Sequence, residues 1–206
     1  MTDKPNAPAS GRNRDAILDV IQTEFGDCHS VLEIGSGTGQ HAIYFAEAMP
    51  WLNWQTSDLA DNHQGICSWI ADSGLENVRQ PILLDVEHTD GVEGDYDGVF
   101  SANTAHIMSI QAVQCMFEIV GHLLSPGGVF CLYGPFNRDG EYTSESNQRF
   151  DQSLRNQSPT MGIRDLEELE TFAAEFAMCR ERLYAMPANN MLVVWRRNGI
   201  ASNDDA

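Results

Sequence analysis

This sequence predicts an α/β fold, a mostly parallel, Rossmann-like sheet of seven strands with helices on both faces and an antiparallel C-terminal hairpin. Three observations predict it. Short apolar runs alternate with amphipathic stretches between residues 30 and 133, and connections of that length build parallel crossovers. The first run breaks into glycines at every second position, as a tight strand-to-helix turn requires. The last two runs are joined only by Pro187-Ala188-Asn189-Asn190, which makes a hairpin with one antiparallel strand.

Residues 11 to 25 set Ile17, Leu18, Ile21 and Phe25 on one side of a first helix. Ser30 to Ile34 is strand one, and Gly39 to Met49 a crossover helix stopped by Pro50. Asn53 to Ser57 is strand two, Leu59 to Asp72 a helix, and Val78 to Leu84 strand three. A turn-rich stretch, Glu87 to Asp95, precedes strand four at Tyr96 to Ala102. Ile110, Val113, Phe117, Val120 and Leu124 recur at helical spacing. Ser125-Pro126-Gly127-Gly128 reads as a turn before strand five, Val129 to Tyr133. After a polar segment, Asp165 with Glu168 forms a capping box for a helix that turns Leu166, Leu169, Phe172, Ala173 and Phe176 inward. Strands at Glu181 to Ala185 and Met191 to Arg196 close the sheet.

At 206 residues the chain suits one well-buried domain, here residues 11–197. Residues 1–10 read as a disordered lead-in without the apolar core of a signal peptide, and 198–206 as a polar tail. Five cysteines without a C-x-x-C pair argue against a disulfide framework or zinc site and for the cytoplasm. No metal-ligand spacing stands out, and no apolar run reaches the length of a membrane span. A net charge of −18 argues against nucleic acid as partner, because phosphate contacts need basic patches. The charge is uneven: residues 24–97 hold 14 acidic residues and one basic one, Arg79, whereas 137–164 balance four arginines against four acids.

The chemistry centres on Glu33-Ile34-Gly35-Ser36-Gly37-Thr38-Gly39-Gln40-His41. Glycines here let a ligand approach the backbone, and the following helix offers unpaired N–H groups and a positive dipole end. A dinucleotide fingerprint would need glycine where Gln40 stands, and a P-loop would need a lysine that is absent. The spacing E-x-G-x-G-x-G instead resembles the first motif of class I S-adenosylmethionine-dependent methyltransferases. That resemblance implies that the loop holds the methionine part of S-adenosylmethionine, with Glu33 near its ammonium group.

Asp58 ends strand two, where an acid can accept both ribose hydroxyls, as the family uses it; it reads equally as a helix cap. Asp85 ends strand three, the family's position for the adenine amino group, or is a solvated loop carboxylate. Leu59 and Val86, beside them, join the expected cofactor site, with Ser36, Thr38 and His41 of the loop. At the end of strand four, Asn103 is a candidate to orient substrate or cofactor and His106 a candidate general base. His106 reads equally as a histidine satisfied by a carbonyl at a helix start.

The polar segment 134–164 leaves strand five at the active end, and a long insertion there reads as lid or substrate wall. Asn137, Arg138, Arg149 and Arg155 of this segment, with Arg12 and Tyr133 outside it, are the candidate substrate residues. Arginines hold carboxylates or phosphates bidentately, which points to an anionic acceptor; pairing with the neighbouring acids is the plainer alternative.

Arg12-Asn13-Arg14, Leu32 to His41, Trp54 to Asp58, Tyr133 to Asn137, Thr143 to Asn147 and Phe150 to Arg155 together resemble the methyltransferase-like protein 26 family. The likeness runs from about residue 8 to 197 and implies the methyltransferase sheet and S-adenosylmethionine binding, but no acceptor. Where that likeness leads one to expect tryptophan before Gly162, this chain has Met161. The expectation is a methyltransferase for a small molecule. A cofactor-binding regulatory or scaffold protein is the rival, and a nicotinamide oxidoreductase is disfavoured by Gln40.

Overall fold

The computed structural model describes residues 4–88 and 93–199. The main sheet contains β1 (Ser30–Ile34), β2 (Asn53–Asp58), β3 (Val78–Leu83), β4 (Tyr96–Ala102), β5 (Leu124–Gly134), β8 (Met178–Met186) and β9 (Asn190–Arg197). Its order is β3-β2-β1-β4-β5-β9-β8, and only the β5–β9 and β8–β9 pairs are antiparallel. The predicted seven-stranded class I methyltransferase sheet with its terminal hairpin is therefore the one observed. Helices are α1 (Pro8–Glu24), α2 (Gln40–Ala48), α3 (Ala60–Ser73), α4 (Ile110–Leu123), α5 (Glu145–Gln157) and α6 (Leu166–Glu175).

Strand alternation splits the core in two. Val99 of β4 faces α4 and α6 with Leu32, Phe117, Phe130 and Trp195. Its neighbour Phe100 faces α1, α2 and α3 with Ile17, Ile21, Phe45 and Trp54. Both sheet faces are thus sealed, and polar side chains are left to collect at the strand ends.

Three local expectations change. α1 starts at Pro8, and residues 4–7 are held rather than disordered: the Ala7 amide donates to Gln40 Oε1 at 2.6 Å, Trp69 Nε1 donates to Pro5 O at 2.9 Å, and Lys4 pairs with Asp72. Residues 1–3 and 200–206, parts of the predicted lead-in and tail, lie outside the described residues, as do 89–92 of the predicted turn. The predicted Ser125–Gly128 turn belongs to β5, which accommodates it by a register shift against β4 between Tyr96 and Gly98. Finally, a parallel pair, β6 (Phe136–Asn137) with β7 (Arg164–Asp165), zips together the two ends of the 134–164 insertion. Asp165 does cap α6, accepting from the Glu167 amide.

Candidate active site

The glycine loop is stitched to β2 before it meets any ligand. Gly35 and Ser36 amides donate to Ser57 O at 3.1 and 2.9 Å, and Ser36 Oγ accepts from the Ser57 amide at 3.2 Å. All three glycines have positive φ, at 73°, 58° and 86°. At Gly35 the requirement is also steric, because a Cβ would meet Thr104 Cγ2 at 2.6 Å. Gly39 lets α2 pack on α3: a Cβ there would meet Ile66 Cα at 3.1 Å. A Cβ on Gly37 would meet nothing within 4 Å; this glycine opens onto a cleft.

That cleft, of about 550 Å³, lies beyond the carboxyl ends of β1, β2 and β4. Of the predicted cofactor residues, Gly35, Gly37, Asp58, Leu59, Asp85, Val86 and Asn103 line it. Glu33, Ser36, Thr38, Gly39 and His41 do not. Glu33 is buried beneath the loop, where Trp54 Nε1 donates to its Oε2 at 3.1 Å. Burial pushes its pKa up to about 7, against the lowering by its Trp54 and Ser36 hydrogen bonds. Thr38 Oγ1 turns to Gln40 Oε1 at 3.1 Å. His41 stacks on Phe45 and bonds Asn13 Oδ1 at 2.9 Å, which makes it a core histidine with a pKa lowered by burial to about 4.

Asp58 does not cap α3, whose N-cap is Leu59. Its Oδ1 accepts from the Leu59 amide and Asn62 Nδ2, both at 2.7 Å, and its Oδ2 from the Gly37 amide at 2.6 Å. A carboxylate has about four lone-pair positions, so one on Oδ2 is left for a ligand hydroxyl. Asp85 is half-exposed at the far end, its pKa lowered first by the Glu87 amide and then by His88. Leu59 and Ile107, large apolar side chains left 51% and 50% exposed, flank the same cleft. A glycine opening, a carboxylate with one free lone pair and exposed apolar walls fit an adenosine bearing an amino-acid tail. Sequence reasoning missed Asn62, Ile107 and Thr160 because nothing local in the sequence marks them as lining residues.

A second chamber of about 560 Å³ adjoins the cleft, and Asn103 is the residue that lines both. Asn103 holds a left-handed φ of 62°, its amide donating to Tyr133 O at 2.8 Å. Strain of this kind persists only where the surroundings enforce it. His106 lines the chamber with Phe150 at 5.2 Å between ring centres, and burial followed by the charge of Arg164 lowers its pKa to about 4.

Of the predicted substrate residues only Arg12 reaches the chamber. Arg149 pairs with Glu145 at 3.6 Å and Arg155 with Asp151 at 2.7 Å, each one helical turn away. Arg138 is exposed on a turn closed by backbone bonds with Glu141. Arg164, the fourth arginine, is buried and donates to the carbonyls of Ala105, Met108 and Thr160. Tyr133 is buried at its strand end, and Asn137 sits in β6 with Oδ1 unpartnered. The chamber wall comes instead from Asn147 and Phe150 of α5 and from Asn189 and Asn190 of the hairpin turn. Asn147 Nδ2 donates to Asn189 O at 3.0 Å and Asn189 Nδ2 to Ser146 Oγ at 3.0 Å, which ties insertion to hairpin. Left-handed Ala188 and Asn189 build that turn.

Residues 4–197 match the family described as protein of unknown function DUF938. The chain belongs to the DUF938 family. Solved structures place the DUF938 fold. The chain is similar to the S-adenosylmethionine-dependent methyltransferase SibL at 23% identity and TM-score 0.78, over 92% of this chain and 56% of that one. It is similar to the mitomycin 7-O-methyltransferase MmcR at 15% identity and TM-score 0.80, covering 92% and 54% of the two chains. Human N-acetylserotonin methyltransferase, solved in complex with SAM, matches at 14% identity and TM-score 0.77, covering 93% and 53%. The chain spans about half the length of these proteins. At such identities the likeness establishes the class I methyltransferase fold.

Proposed function

We propose that this DUF938 protein is an S-adenosylmethionine-dependent methyltransferase acting on a small molecule. One observation carries the reading: two cavities at the carboxyl end of the sheet meet at Asn103, one lined by carboxylates and exposed apolar side chains, the other walled by the insertion and α1. Methyl transfer is an in-line displacement, and holding the two reactants in adjoining compartments supplies much of its rate. When bound, the cofactor brings an electrophilic methyl group. Gly35 and Gly37 would hold its amino-acid part, Asp58 its ribose and Asp85 its adenine. Asn103 would orient what lies on either side. His106, neutral through burial, would accept a proton or hydrogen bond from the acceptor.

An anionic acceptor, expected from the lid arginines, now rests on Arg12, because Arg138 and Arg149 do not line the chamber and Arg155 and Arg164 are hydrogen-bonded within the protein. The regulatory-scaffold rival keeps the cleft but has no use for the chamber. Incubation with S-adenosylmethionine and a metabolite extract tests the reading: S-adenosylhomocysteine and a product heavier by one CH₂ should appear, and Asp58→Ala should lose both. Calorimetric binding of NAD with no binding of S-adenosylhomocysteine would sink it.

A further inference from the structure

Charge separates the chamber from the cleft beside it. Asp58, Asp85 and Glu87 line the cleft, whereas among the described residues the single charged side chain lining the chamber is Arg12. In a chain of 30 acidic and 12 basic residues, a wall free of carboxylates selects against cations. Arg14 is engaged with Asp15 and lies over Tyr44, but among the described residues Arg12 has no ion pair or hydrogen bond. Helix α1 also presents its amino end. Ala9 and Arg12, one turn apart, both line the chamber, and the 17-residue helix has no side-chain cap and no acid in its first turn. Its positive pole is left uncompensated.

A second, independent feature asks for a polar ligand. His106 is only 7% exposed and lines the chamber, yet its ring makes no hydrogen bond among the described residues. A neutral imidazole there offers one donor and one acceptor to whatever fills the chamber. Phe150, edge-on to that ring, and Pro135 give the chamber apolar surface.

We propose that the chamber binds a compact aromatic hydroxy acid, with its carboxylate at Arg12 and the amino end of α1, its ring against Phe150 and Pro135, and its hydroxyl against His106. That this ligand is the methyl acceptor rests on the reading of the adjoining cleft; its binding does not.

Calorimetry with the three monohydroxybenzoates, benzoate and the matching hydroxybenzamides as probes tests it, with and without S-adenosylhomocysteine. At least one hydroxybenzoate should bind, and its amide should bind about tenfold more weakly, as loss of a charge-assisted hydrogen bond predicts. Arg12→Gln, at an exposed position where folding is not at stake, should erase the acid-over-amide preference and leave the amide's affinity unchanged. His106→Ala should erase the preference for hydroxybenzoate over benzoate. Absence of binding by all three acids, or equal affinity for acid and amide, overturns the proposal. If S-adenosylhomocysteine binds while the acids do not, the chamber assignment falls and the donor site stands. If an Arg12-dependent acid binds and S-adenosylhomocysteine does not, the reverse holds.

Discussion

Gly35 and Thr104 show how closely the loop is fitted. A Cβ at Gly35 would stand 2.6 Å from Thr104 Cγ2, and φ of 73° adds the left-handed penalty of about 1–2 kcal/mol. Gly35→Ala should therefore weaken S-adenosylhomocysteine binding about tenfold or more. Adding Thr104→Ser, which removes that methyl group, should recover part of the loss in calorimetry. Full additivity of the two changes would show that the contact is not the cause. Beneath the loop, Glu33 makes a prediction of opposite sign to the usual acid. Its pKa is raised to about 7 by burial, so its contribution to stability is fully present below the unfolded value of about 4.3 and is lost as pH rises through 7. Glu33→Gln should raise Tm relative to the parent at pH 8 and change it little at pH 5. Thermal melts at the two pH values decide it.

The insertion is the element whose order the sequence least announces. It carries a helix with only Leu154 fully inward among apolar residues, yet it is pinned at its base by β6–β7 and inside by Asp151. That carboxylate is buried and accepts from Tyr142 Oη, Arg155 Nε and the Ile163 amide, each at 2.7 Å. Asp151→Ala leaves the buried Ile163 amide unsatisfied and should cost about 2 kcal/mol, read by denaturant melts. Arg155, about half exposed, adds little through its charge alone. Burial pushes the Asp151 pKa up, but Arg155, Tyr142 and Ile163 hold it below the ordinary value. The lock is thus complete above about pH 4 and is lost as pH falls through the lower folded value. Two arginines that looked like substrate clamps are explained at this scale, because in a helix a partner one turn away is the nearest anion.

At the scale of the molecule, three distant segments roof the site: the 4–12 strap with α1, the insertion, and the hairpin turn. Gln40 is the keystone of the first. Its Oε1 accepts from the Ala7 amide and Thr38, and its Nε2 donates to Asn6 Oδ1 at 2.9 Å. The residue that breaks a dinucleotide fingerprint therefore fastens the strap that brings Arg12 to the chamber. Gln40→Ala should speed amide hydrogen exchange over residues 5–10 about tenfold, leaving β1, β4 and β5 protected. Unchanged exchange in the strap would show that Trp69 and Asp72 hold it alone.

By itself the sequence determined the layered sheet, its terminal hairpin and several of the residues that line the cleft. Those depend on apolar periodicity and on glycine, aspartate and asparagine at strand ends, which are local properties of neighbouring residues. Asp58 and Asp85 could be placed because a parallel strand delivers its last residue to a known edge. Only the tertiary structure decided which arginine faces the chamber, that Glu33 and His41 lie beneath the loop, and that Asn147, Asn189 and Phe150 wall the chamber. Each of those facts is a contact between segments far apart in the chain, and side chains on a polar surface choose partners by proximity that no local pattern encodes. Arg12 and Arg155 are chemically alike and each has an aspartate one helical turn away, but Asp151 is taken by Arg155 whereas Asp15 accepts from Tyr44 and pairs with Arg14.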